Sequence, residues 1–131
     1  MIPISDSLFL LVHSITGWIL TAGSALLLLP VFQFLRSRSS SLALDAVGHY
    51  FVAFAGVLNL IWGLALLATS GEVEHARLLA WPSCAGFALL ALFRIPFSRD
   101  AVIVAELGKA PRFEVIVFGL AALFFGAAAL A

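Results

Sequence analysis

Charge is what this sequence lacks most. Only 11% of its 131 residues are Asp, Glu, Lys or Arg, while 63% are hydrophobic. A water-soluble domain carries about 25% charged residues. This chain has less than half of that, too little to cover a surface facing water. A soluble enzyme, a disordered chain and a nucleic-acid binder with a basic patch are thereby excluded. The seven Lys and Arg are balanced by seven Asp and Glu, so no net charge draws the chain to a partner. Cysteine is nearly absent as well. One residue, Cys84, permits no intrachain disulfide, no CxxC redox pair and no thiolate cluster. Strand-like alternation is missing too, so a barrel is not expected.

What remains is four long apolar runs. They cover about residues 8–35, 47–69, 78–93 and 113–131, and Glu114, at a boundary, is the one charged residue within them. A helix needs about 20 apolar residues to cross a bilayer core. The sequence therefore predicts an all-α integral membrane fold: a four-transmembrane-helix bundle forming a single domain over residues 1–131. The N-terminal segment does not read as a cleaved signal peptide. No Lys or Arg precedes its apolar run, and the run is longer than a signal's apolar core.

The charges set the expected orientation. Residues 36–46 and 94–112 hold Arg36, Arg38, Arg94, Arg99, Lys109 and Arg112, whereas the opposite side holds only Arg77. Basic loops stay on the cytoplasmic side. Both termini are thus expected outside, in the periplasm if the membrane is a bacterial inner membrane. Residues 98–109 read either as a short helix lying in the interface between spans three and four or as a plain ordered loop. Ser98 is the helix's expected N-cap and Gly108 its stop.

Small residues recur seven apart in each span: Gly17 and Ser24, Gly56 and Gly63, Cys84 and Ala91, Gly119 and Gly126. In lipid, helices associate through close backbone approach and polar contacts. This spacing suits a left-handed bundle. At about 100° per residue, His13, Thr16, Gly17 and Ser24 share one stripe, and His49, Gly56, Asn59 and Gly63 share another. Phe51, Phe54, Leu58 and Trp62 fall on the opposite face of span two, where they would meet lipid or a partner subunit.

No ionisable residue is expected at mid-membrane depth, which disfavours proton and ion transport. His13, Thr16, His49 and Asn59 are the candidates for ligand binding or for hydrogen bonds between helices. His13 and His49 are expected at opposite ends of the membrane, too far apart to share one haem iron. Ser14, Thr16, Thr21 and Ser24 lack a His–Asp partner at a sensible depth, so nucleophilic catalysis has no support. Glu72, Glu74 and His75 have no metal-ligand spacing and read as solvated loop charges. Arg94, Arg99, Lys109 and Arg112 are candidates for anionic lipid headgroups, and Glu114 is expected to pair with Arg112 or Lys109.

The string His13-Ser14-Ile15-Thr16-Gly17 resembles the His-Arg-x-Thr-Gly signature of the cytochrome b anchor subunit of succinate dehydrogenase over five residues. Ser14 stands in place of the arginine. The three spans and opposite orientation of that family do not match the four spans expected here. No cofactor is assigned on this basis.

Three functions are consistent with these features. The first is a small non-catalytic subunit packed within a larger membrane complex or a homo-oligomer. The second is a carrier or binding protein for an apolar or weakly polar molecule, and the third is a lipid- or quinone-directed enzyme. The enzyme lacks a paired catalytic group. Membrane lipid is an expected partner in all three, and nucleic acid in none.

Overall fold

The structure, a computed structural model, describes residues 3–40 and 42–131. It is all-helical, with 86% of the chain in helices and no strand among the described residues. Among the described residues six helices follow one another: α1 (Asp6–Ser37), α2 (Ala46–Thr69), α3 (Val73–Leu78), α4 (Ala80–Arg99), α5 (Ala101–Leu107) and α6 (Ala110–Leu130). Four of them, α1, α2, α4 and α6, are long and apolar enough to cross a membrane. At 1.5 Å per residue, α2, α4 and α6 measure about 30–36 Å, matching a hydrocarbon core of about 30 Å, and α1 reaches about 48 Å.

The chain divides into two compact units. One comprises Ser7–Val73, and the other comprises Glu74–Ala131 with the N-terminal residues through Asp6.

In the first unit α1 and α2 pack antiparallel, since contacts late in α1 are with residues early in α2. Glycine makes the close approach geometrically feasible. A Cβ on Gly63 would lie 2.6 Å from Thr21 Oγ1, 2.7 Å from Thr21 N and 3.0 Å from Gly17 O. A Cβ on Gly17 would lie 3.1 Å from Gly63 O and 3.0 Å from Leu67 Cγ. Each glycine thus turns a Cα hydrogen toward the other's carbonyl, a weak contact worth about 0.5–1 kcal/mol. Further along the seam, Gly56 receives Leu28, whose Cδ2 would be 2.9 Å from an added Cβ. Ser24 is buried, and its hydroxyl donates to Leu20 O, so this polar group is satisfied within its own helix.

The second unit is also an antiparallel pair, α4 against α6. Its seam is aromatic. Phe87 stacks on Phe118 and on Phe125 at centroid distances of 5.9 and 5.7 Å. Gly126 faces Cys84, whose Sγ would be 3.1 Å from an added Cβ. Gly119 is different: nothing lies within 4 Å of where its Cβ would be. At one end of the pair, Arg77 donates from Nη1 to Ala128 O at 2.8 Å and from Nη2 to Asp6 Oδ1 at 2.9 Å.

Helix ends depart from the sequence expectations in three places. The third span was expected over 78–93 but runs as Ala80–Arg99, past Pro96. Arg94 and Arg99 therefore sit on its last turns rather than in a loop, where cations complement the helix dipole. The fourth span begins at Ala110 rather than 113, with Pro111 in its first turn, where a missing N–H leaves no bond unmade. Between them α5 is capped by Asp100, not Ser98. Asp100 Oδ1 accepts from Val102 N and Ile103 N, both at 3.0 Å, whereas Ser98 lies inside α4 and donates to Ile95 O. A carboxylate bound to two amides is the stronger cap. Gly108, at φ 62°, ends α5 as expected. Residues 73–77, expected within a loop, form α3 together with Leu78, expected to open the third span.

The Gly17–Gly63 crossing yields a direct test. Gly63→Ala forces a methyl against the Thr21 backbone and should destabilise the protein by about 1–3 kcal/mol. Gly23→Ala, at a position with nothing within 4 Å, should not destabilise it. Reversible unfolding in mixed micelles measures both. Equal stability of the two variants would contradict the crossing.

Candidate functional site

The first hairpin carries polar groups at both ends of its seam. His13 is fully buried on α1, with Nε2 2.9 Å from Thr69 Oγ1 at the end of α2. The Thr69 hydroxyl also lies 2.9 Å from Ala65 O and 3.2 Å from Leu66 O, carbonyls of its own helix. Thr16 is half-buried, and its hydroxyl donates to Val12 O at 2.7 Å. Asn59 is half-buried midway along α2, and His13 and Thr69 make a hydrogen bond between α1 and α2.

At the other end His49 is 2% exposed. Its ring stacks on Phe34 with centroids 3.9 Å apart and planes 11° apart. Nδ1 lies 2.8 Å from Asp45 O, the carbonyl one turn earlier. Asp45 itself caps α2, its Oδ1 accepting from Gly48 N. Arg38 ends α1 in the left-handed region at φ 57°, and its guanidinium lies 5.4 Å from the centre of the Phe34 ring. A cavity of about 260 Å³ opens here between Phe34, Arg38, His49 and Tyr50. His13 contacts Thr69, which is 20 residues beyond His49, a separation of about 30 Å along α2. One metal cannot be held by both histidines.

Phe51 and Phe54 are exposed on α2, away from the seam, and Trp62 is half-buried. Gly56, Gly63 and Leu66 are buried on the seam side. The two faces of α2 thus separate bulky from small side chains.

In the second unit the basic residues differ in surroundings. Arg99 and Lys109 are exposed. Arg112 is exposed too, and its Nε approaches Ser98 O at 3.4 Å. Arg94 is held twice. Its Nε donates to Glu114 Oε2, and its guanidinium lies 4.7 Å from the centre of the Phe118 ring. Glu114 therefore pairs across the helices with Arg94, not with Arg112 or Lys109 as expected. On α6, Arg112 lies two residues before Glu114 and points elsewhere, whereas residues on facing helices meet regardless of their sequence separation. Arg94 and Glu114 also line a cavity of about 300 Å³ with Phe97, Ile103, Leu107 and Pro111.

An open groove of about 580 Å³ lies between α4 and α6. Cys84, Ala88, Ala91, Gly119 and Ala122 contribute small side chains to it, and larger ones come from residues such as Leu92 and Leu120. No titratable group other than the Cys84 thiol lines it, so it offers shape and apolar contact without acid–base chemistry. Among the described residues no three His, Cys, Asp or Glu side chains come together as a metal site.

No protein-family model, no curated protein and no solved structure matches the chain. The protein is an all-helical chain with four helices able to cross a membrane, compatible with a small membrane protein.

Sequence reasoning missed Phe34, Arg38 and Tyr50 as a group around His49. Arg38 follows Phe34 by four residues, a spacing that brings side chains together on a helix, and this signal was present. The Arg94–Glu114 pair had no local signal.

That pair is measurable. Its side chains are 30% and 44% exposed, so the coupling falls toward the upper end of the range for exposed pairs. A double-mutant cycle of Arg94→Gln and Glu114→Gln should give about 0.5–1 kcal/mol. Strict additivity of the two substitutions would show that the contact contributes nothing.

Proposed function

We propose that the chain is a non-catalytic integral membrane subunit that packs within a larger membrane complex. The observation that carries this reading is the groove between α4 and α6, open, apolar and floored by small side chains. Small residues admit the close approach of another helix in lipid, where the hydrophobic effect supplies no attraction between helices. Gly119, with nothing within 4 Å of its Cβ position, is the point of closest approach for the incoming helix. The aromatic face of α2, with Phe51, Phe54 and Trp62, is a second contact face, toward lipid or another subunit.

In this reading both termini face the periplasm of a bacterial inner membrane, and the two basic segments face the cytoplasm. Six of the seven basic residues then lie on the inner side. The short helix α5 rests in the headgroup region. Arg99, Lys109 and Arg112 contact anionic lipid headgroups there, and Arg94, already paired with Glu114, contributes less.

A photo-crosslinking amino acid at Leu120, an exposed residue of the groove, tests the packing. Irradiation of whole membranes should produce an adduct with a second polypeptide. Adducts with lipid alone, or only with α1 or α2 of the same chain, contradict the proposal. Orientation is tested separately by cysteine labelling on a Cys84→Ser background. A cysteine at Ser70 should react with an impermeant maleimide added outside, and a cysteine at Ser39 only after the membrane is opened. The reverse pattern would invert the topology.

A further inference from the structure

We propose that the cavity where α1 ends and α2 begins binds a hydroxyl-bearing amphiphile, with its O–H head against His49 and Arg38 and its apolar tail along Val31 and Ala53. The cavity holds about 260 Å³ and is lined by both helices. The chemistry of its wall follows from His49. Asp45 O can only accept, so the ring hydrogen is on Nδ1, 2.8 Å away. Nε2 is left as a bare lone pair. It is buried and has no hydrogen-bond partner among the described residues. The Phe34 ring, stacked at 3.9 Å, holds the imidazole plane in place. The same ring carries the Arg38 guanidinium at 5.4 Å, which supplies donors and no acceptor.

The site therefore asks for one group that donates to His49 and accepts from Arg38. A neutral hydroxyl can both donate and accept, and takes up no proton. A phosphodiester has no hydrogen to give and would set lone pair against lone pair at Nε2, so a phosphodiester by itself is a poor match. A plain hydrocarbon leaves both groups unmet. Val31, Leu35, Ala46 and Ala53 supply the apolar lining. This inference is independent of the subunit reading, because the groove between α4 and α6 has no part in it.

The test uses the full chain in lipid nanodiscs with ¹⁵N-labelled histidine. The probes are 4-octylphenol and 4-octylanisole, which differ only in the hydroxyl hydrogen. The phenol should shift the His49 Nε2 resonance saturably. The anisole should bind at least about tenfold more weakly, since it leaves the buried acceptor unmet. Arg38→Gln should weaken phenol binding severalfold, and its exposed side chain keeps folding out of the comparison. His49→Phe should erase the difference between the two probes, with helix content checked by circular dichroism. Equal affinity of phenol and anisole for the parent chain overturns the proposal. So does a shift that never saturates, or an Arg38→Gln protein that binds the phenol as the parent does.

Discussion

A bilayer core offers a helix neither hydrogen bonds nor a hydrophobic reason to touch its neighbour. Each spanning helix must satisfy its own backbone, and each helix pair must be held by contact at close range. The Gly17–Gly63 crossing meets that demand in α1 and α2. Two backbones approach until each glycine faces the other's carbonyl, and Thr21 closes over Gly63. The arrangement has no room for a methyl group. The positions of His13 against Thr69 and of Phe34 against His49 follow from that register, since both pairs lie on the seam the glycines define. In α4 and α6 the same demand is met differently, by the Phe87, Phe118 and Phe125 rings and by the contact of Gly126 with Cys84.

The scarcity of charge thus has two consequences. It makes four helices long and apolar enough to cross a membrane, and it places the charged residues toward helix ends, in the short helices and in the segments between. The polar chemistry gathers at the ends: the Arg94–Glu114 pair and α5 on one hairpin, His49 and Arg38 on the other. Between them lie surfaces suited to packing. On the proposed reading the chain works through what sits against it, in the groove beside Gly119 and on the face carrying Phe51 and Phe54.

Much of the fold was legible because helical periodicity is a local property. Of the stripe His49, Gly56, Asn59 and Gly63, which follows from a rotation of about 100° per residue, the structure buries all but the half-buried Asn59. Of the stripe His13, Thr16, Gly17 and Ser24 it buries all but the half-buried Thr16. Helix ends were less legible. Ser98 read as the cap of α5, and backbone geometry gives that role to Asp100 instead, which is extended at ψ 127° with two amides in reach. Contacts between helices were least legible. Glu114 is 20 residues from Arg94, and nothing in the sequence prefers it over the nearer Arg112. The bare nitrogen of His49 depends on which ring atom meets Asp45 O, a fact of side-chain geometry that no spacing encodes. Gly119 sits on the same seven-residue spacing as Gly126, yet one faces open space and the other faces Cys84. Periodicity marks which residues can pack, and the partner's position decides which do.

The central claim is that this chain is a packing subunit whose exposed helix faces are covered by other polypeptides. Native mass spectrometry of the protein released directly from its membrane in a mild detergent tests it most directly. The account predicts a complex whose mass exceeds that of one chain by at least one further polypeptide. A single chain, bare or carrying only lipid, would contradict it.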